Sequence, residues 1–310
     1  MGSMHQRKIA MINDISGYGR CSLTVAIPIL SAMGIQCCPV PTSILSNHTG
    51  FPVWFFDDYT DKMEAYLEKW KELNLRFDGI ATGFLGSERQ IQIVMDAIND
   101  FKTPDTQVIV DPIMGDHGKA YATYTPQMCR EMGRLVSLAD VVTPNVTEGC
   151  ILTGREYKSW GWSRRELEEM AREIQAMGPD YVVITGVGSR PKAEGWSEGE
   201  ENRNSKKQET EERGSRGSLT NVILKPDGTI DFQRSRKVGR ERPGTGDVFS
   251  SIVAGAAVQG WDLPYGVKLA AWFVKLCIEK SDALEIPVSN GVCFEVVLPE
   301  LIRRCNKLNF

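Results

Sequence analysis

Histidine is nearly absent: the 310 residues hold three, His5, His48 and His117, scattered along the chain. Eight cysteines are present, but no two form a Cys-x-x-Cys pair. That argues against a zinc site. Most of the cysteines sit in apolar surroundings such as "GIQCCPV" and "VKLCIEK", which read as buried free thiols and not as a disulfide framework. No apolar run is long enough to cross a bilayer. The start, "MGSMHQRK", has no signal-peptide core, and "MGS" before Met4 reads as a cloning remnant. The expected location is the cytoplasm. Net charge is only −4, which gives no electrostatic reason to expect nucleic acid.

Familiar nucleotide motifs are missing too. "GDHGK" (Gly115–Lys119) has two residues between its glycines where a P-loop has four, and Ala120 follows the lysine. "GYGRCS" lacks the third glycine of a dinucleotide fingerprint, which weakens a dehydrogenase reading. There is no protein-kinase catalytic loop and no serine-hydrolase elbow.

What is present is an alternation. "KIAMIN" (Lys8–Asn13) reads as a buried strand, "SGYG" (Ser16–Gly19) as a turn, and Leu23–Met33 as a helix stopped by Gly34. "IQCCPVPTSIL" is a second extended segment. Asp61–Leu73 is an amphipathic helix with Met63, Tyr66, Leu67 and Trp70 on one face. "DGIATG" is a short strand, and Ser87 caps the next helix. "QVIVD", "ADVVTPN" and "DYVVITG" repeat one design, a strand with polar residues at its C-terminal end. Such alternation predicts a mostly parallel sheet covered by helices on both faces. Its ligand site lies beyond the carboxyl ends of the strands, where Asp111, Asn145 and Thr185 fall.

Arg190–Ser218 contains no Leu, Ile, Val or Phe and is expected to be a disordered surface loop. "LTNVILKPDGTIDFQ" reads as a hairpin turning at Pro-Asp-Gly. Helices are expected after Asp247, from Leu263 to about Lys280, and from Phe294 to about Asn306. The expectation is a single domain over residues 4–310.

"GTGD" (Gly244–Asp247) opens an apolar helical run. Free amides and the positive dipole end make such a start an anion site, and glycine lets the backbone approach the anion. An aspartate there repels an anion, but it makes sense as the base for a nucleophile attacking that anion. The pairing suggests phosphoryl transfer; the alternative is an N-cap aspartate. Asp111 in "VIVDPIMGD" and Thr143, Asn145 and Glu148 in "VTPNVTEGC" add groups at the strand ends. Acids facing phosphates usually act through Mg²⁺. Asn145 and Glu148 could equally form a capping box.

These motifs, with "ILSNHTGF" (Ile44–Phe51), "TGFLGS" (Thr82–Ser87) and "GPDYVVITG", resemble the pyridoxal kinase family of the ribokinase superfamily. The resemblance covers nearly the whole chain outside 190–218. It implies a ribokinase-like three-layer α/β/α fold without a separate lid domain, and ATP-dependent phosphorylation of the 5′-hydroxyl of vitamin B6 vitamers. Asp247 would be the base, and Gly244, Thr245 and Gly246 the anion hole. Asp111 and Glu148 would position Mg²⁺ through water, while Thr143, Asn145 and Thr185 would contact ATP phosphates. His48, Thr49 and Phe84 would line the pyridine pocket, and "GDHGKAYATY" would be a flap. A monovalent cation (K⁺) and a homodimer are usual in the family. One departure is Asp14, where many members carry Ser; it would reach the pyridine nitrogen or else cap a local turn. Rival readings are a hydroxymethylpyrimidine or sugar kinase and a non-catalytic pyridoxal phosphate carrier.

Overall fold

A computed structural model describes residues 5–189 and 217–307. In chain order the elements are β1 (Lys8–Tyr18), α1 (Leu23–Ala32), β2 (Gln36–Asn47), β3 (Phe56–Asp58), α2 (Thr60–Glu72), β4 (Gly79–Thr82) and α3 (Glu88–Phe101). Then come β5 (Gln107–Val110), β6 (Gly115–Asp116), β7 (Lys119–Ala120), α4 (Pro126–Val136), β8 (Val141–Val142), α5 (Val146–Thr153) and α6 (Arg164–Gln175). The chain ends with β9 (Tyr181–Gly188), β10 (Ser218–Leu224), β11 (Ile230–Arg236), α7 (Thr245–Val258), α8 (Leu263–Ala283) and α9 (Leu298–Asn306).

Nine strands form one sheet in the order β11-β10-β9-β8-β5-β4-β1-β2-β3. The six from β9 to β2 pair in parallel, and β3, β10 and β11 add antiparallel edges. Alternate strand residues face opposite cores. Ala10, Ile12, Ile80, Val108 and Val110 enter one core with residues of α2 to α6, while Ile9, Met11, Ala81 and Ile109 enter the other with α1, α7, α8 and α9. Burying each of these Ile, Val or Met side chains stabilises the fold by about 1.5–3 kcal/mol, and the alanines contribute less. Two cores flanking one sheet give the three layers that the alternation predicts.

Caps explain several boundaries. The Ser87 side chain accepts from the Gln90 N–H at the start of α3. Ser163 and Glu166 form a capping box on α6. The hairpin β10–β11 turns through Pro226–Gly228, where Gly228 has φ 78°.

Four sequence expectations need correction. "SGYG" is not a turn: β1 runs on to Tyr18 because Ser16 and Tyr18 pair with Leu45 and Asn47 beyond a register shift at Asn13–Ile15. The "ADVVTPN" strand shrinks to Val141–Val142 plus one bridge from Asn145 to Thr185. The last helix starts at Leu298, after a short 3-10 turn. The segment 190–216 of the expected loop lies outside the described residues, and its last residue, Ser218, already opens β10. Among the described residues no helix is long and apolar enough to cross a membrane.

Candidate active site

The parallel strands deliver their polar ends to one edge. Asp111 follows β5 directly, with its N–H on the Thr82 carbonyl at 3.3 Å. Thr143 follows β8 and donates its N–H to Val110 O at 3.1 Å. Thr185 lies on β9, its N–H on Pro144 O at 2.9 Å. This edge faces the start of α7.

Gly244 is the N-cap of α7, with φ 81°. A Cβ at that position would lie 1.9 Å from the Arg20 carbonyl, so both the left-handed backbone and the space demand glycine. The first amide to bond back along the helix is that of Val248, to Gly244 O at 3.0 Å. The amides of Thr245, Gly246 and Asp247 therefore lack intrahelical acceptors, as the first turn of a helix requires. Gly246 is exposed, with open space around its Cα. The Thr245 hydroxyl donates to Arg242 O at 3.1 Å.

Asp247 is the third residue of α7, where a helix beginning after it was expected. Gly244 takes the N-cap position, so the carboxylate is not spent on capping. Asp247 is half-buried. Burial and the neighbouring Asp14 raise its pKa to about 6, while the Ser22 N–H, the Asn13 side chain and its own N–H pull back. Burial, then Asp247, raises Asp111, against the pull of the Ser250 and Thr143 hydroxyls. Burial, then Asp111, raises Glu148, which is only 3% exposed. Three carboxylates thus share one poorly solvated edge, each harder to ionise for its neighbours.

Asn145 and Glu148 make the capping box on α5: the Asn145 Oδ1 accepts from the Glu148 N–H at 3.0 Å, and the Glu148 Oε2 accepts from the Asn145 N–H at 2.8 Å. The rest of each side chain reaches the β6–β7 hairpin. Asn145 Nδ2 donates to Gly115 O at 2.9 Å, and Glu148 Oε1 accepts from Met114 N–H at 3.2 Å. A divalent cation fits this donor set, because a positive charge would offset the mutual repulsion of Asp111 and Glu148. No group of three potential metal-binding side chains converges among the described residues.

His48 follows the end of β2, within electrostatic reach of Asp14. Gly50 N–H donates to its Nδ1 at 3.1 Å, so Nε2 carries the proton and donates to Ser289 O at 2.7 Å. The Phe51 ring lies 4.6 Å away, centroid to centroid. Thr49 beside it is exposed. Asp14 is 6% exposed, raised in pKa by burial, and accepts from Ser16 Oγ at 3.2 Å. It lies within electrostatic reach of both His48 and Asp247. Phe84 is half-buried, its N–H on Asn13 Oδ1 at 2.8 Å and its carbonyl accepting from Thr42 Oγ1 at 2.9 Å.

Two positioning residues are not evident in the sequence. Asn13 links the Phe84 N–H, the Asp14 N–H and Asp247. Arg242, 4% exposed, donates to Ile286 O at 2.9 Å, Pro287 O at 3.2 Å and Asp282 Oδ1 at 2.8 Å. It ties the loop that carries Ser289 to the turn that carries Gly244. Asn13 was marked only as a polar residue closing an apolar run, and Arg242, in the charged stretch "GRERPG", carried no signal at all. A separate cavity of about 780 Å³ opens at the N-terminal pole of the strands, between Arg7, Arg76 and Trp261, and none of the site residues lines it.

A helix start with open amides, a carboxylate in its first turn and further acids beside the strand ends, on a three-layer α/β/α fold, are the features expected of a kinase of the ribokinase superfamily. The family model for phosphomethylpyrimidine kinase matches residues 29–291. A solved structure of a candidate phosphomethylpyrimidine kinase from Bacteroides thetaiotaomicron is 37% identical, with a TM-score of 0.84, over 97% of this chain and 96% of that one. A second crystal form of that protein, with pyridoxal, aligns at 35% identity and a TM-score of 0.81, over the same 97% and 96%. Pyridoxal kinase PdxY of Leifsonia xyli is 30% identical over 196 residues, 61% of this chain and 67% of that protein. Pyridoxal kinase of Sus scrofa is 29% identical over 235 residues, 72% of this chain and 66% of that one. The aligned stretches thus span about two thirds of these two curated relatives. The chain belongs to the phosphomethylpyrimidine kinase family, within its pyridoxal kinase branch.

Proposed function

We propose that this protein phosphorylates vitamin B6 vitamers at the 5′-hydroxyl with ATP. The observation that supports it most is Asp247: a carboxylate free of capping duty, in the first turn of a helix whose open amides suit an anion. The hydroxyl oxygen attacks the γ-phosphorus, its proton passes to Asp247, and the bond to the β,γ-bridging oxygen breaks. Burial brings Asp247 to about 6, closer to neutrality and so a better base than an exposed aspartate. The amides of Gly244, Thr245 and Gly246 stabilise the charge on the transferring group. Thr143, Asn145 and Thr185 face the nucleotide phosphates. Asp111 and Glu148 would hold Mg²⁺ through water, which would neutralise phosphate charge; a K⁺ ion is proposed beside it, on the family resemblance.

His48, Thr49 and Phe84 line the pyridine pocket, and Asp14 pairs with the ring nitrogen. Pyridoxal in the 35%-identical relative supports this acceptor. The family's own description, phosphomethylpyrimidine kinase, points to a second acceptor class, a pyrimidine, of which hydroxymethylpyrimidine is the simplest to test. One coupled assay decides: ATP with pyridoxal, pyridoxine, pyridoxamine or hydroxymethylpyrimidine, each with and without K⁺. Turnover confined to the pyrimidine would overturn the vitamer reading, and tight vitamer binding without turnover would make the protein a carrier.

We also propose a homodimer in the cytoplasm. The tip between β2 and β3 exposes Val53, Trp54, Phe55 and Phe56 at 46–77%, beside a sheet edge, and eight free thiols suit a reducing compartment. Size-exclusion chromatography with light scattering should report twice the chain mass; a monomer at micromolar concentration would reject the dimer.

A further inference from the structure

The β6–β7 hairpin is a tight turn, with His117 at φ 51° and Gly118 at φ 78°. It is fastened residue by residue to the first turn of α5. Asn145 Nδ2 holds Gly115 O and Glu148 holds the Met114 N–H. At the tip, the Gly118 N–H donates to Thr147 Oγ1 at 2.9 Å. Thr147 is 3% exposed, whereas Gly118 is exposed, so a buried acceptor reaches out to a surface turn. Tyr157 supports the turn from below: a Cβ on Gly118 would come within 2.3 Å of its ring. On the opposite side the His117 imidazole stands 3.4 Å from Glu241, three residues before Gly244. The hairpin therefore bridges the two walls of the phosphate site, one from α5 and one from the approach to α7.

The contact to Glu241 joins two side chains that are 70% and 62% exposed, and such a pair contributes little. The contact to Thr147 is the buried one. We propose that Thr147 is a positioning residue that holds the hairpin closed over the phosphoryl-transfer site. The proposal rests on the kinase reading above and adds a residue to it. Because Asn145, Thr147 and Glu148 share one helical turn, a nucleotide bound against that turn and the closure of the hairpin favour one another. A closed hairpin excludes water from the γ-phosphoryl group, so transfer to the vitamer outruns hydrolysis.

Thr147→Val keeps the shape and removes the acceptor; Thr147→Ser keeps the acceptor. Gly118→Ala attacks the same contact from the exposed side and serves if the buried variant fails to fold. Hydrogen–deuterium exchange of residues 115–121, without ligands, should speed up about tenfold in Thr147→Val and Gly118→Ala, the size expected for one lost hydrogen bond. Thr147→Ser should match the parent. With ATP and pyridoxal, kcat should fall in the first two variants, and the ratio of ATP hydrolysed to vitamer phosphorylated should rise. Glu241→Gln should change either readout less than Thr147→Val does. Exchange within twofold of the parent in both disrupting variants, or Thr147→Ser behaving like Thr147→Val, would overturn the proposal. A parent without vitamer turnover would instead overturn the kinase reading, and the exchange measurement would still decide the latch.

Discussion

At the scale of single residues, Asp14 offers the most specific test of the proposed pyridine pocket. It sits at the register shift of β1, buried, with Ser16 on its carboxylate and Asp247 and His48 nearby. Burial makes an isolated anion costly there, and a protonated pyridine nitrogen would relieve that cost. A charge-assisted hydrogen bond contributes about 1.5–3 kcal/mol, against about 0.5–1.5 for a neutral one. Asp14→Ser should therefore raise KM for vitamers several-fold, most where the ring must be protonated, and leave KM for ATP nearly unchanged. The measurement is KM for each vitamer between about pH 6 and 9. Equal values and equal pH profiles in the two proteins would reduce Asp14 to a turn residue. Asn13, one position earlier, escaped the sequence because its three partners come from β1, the loop after β4 and α7, and no local pattern encodes such convergence.

Among the elements, strand ends and caps were legible and pairing was not. Hydrophobic runs ending in polar residues located β5, β8 and β9, Ser87 showed its capping role directly, and the capping box of Asn145 and Glu148 was one of two readings open for that pair. The extension of β1 through "SGYG" depends on β2 offering partners beyond a bulge, which is tertiary information. The position of Asp247 inside α7 follows from Gly244 adopting a left-handed cap against the Arg20 carbonyl, again a contact distant in sequence. The charged segment 190–216 joins β9 and β10 at a point where the strands already meet: Ser189 N–H donates to Ser218 O at 3.0 Å, and Ser218 N–H to Ser189 Oγ at 2.9 Å. A short Gly/Ser link in its place should close without strain. Thermal midpoint and kcat should stay close to the parent; loss of soluble protein or a large fall in kcat/KM would show that the segment packs or gates the site.

For the whole molecule, the acid edge sets function against stability. Asp247 has a native pKa near 6, above its value in an unfolded chain, so the native state holds its proton more tightly. Its favourable contribution is present below the unfolded value, about 4, and is lost as pH rises through about 6. At pH 8 the ionised group then costs the fold something of order 3 kcal/mol. Asp247→Asn should therefore raise the thermal midpoint at pH 8 and leave it nearly unchanged at pH 4.5, where the aspartate is mostly protonated. An equal shift at both pH values would show that the carboxylate does not sit in the environment described.

The central claim is that Asp247 takes the proton of the attacking hydroxyl, and the same variant tests it most directly. With ATP and pyridoxal at pH 8, Asp247→Asn should bind ATP as the parent does and lose about 10²–10⁴-fold in kcat, the usual contribution of a general base. A folded Asp247→Asn protein that turns over pyridoxal within a few-fold of the parent would contradict it.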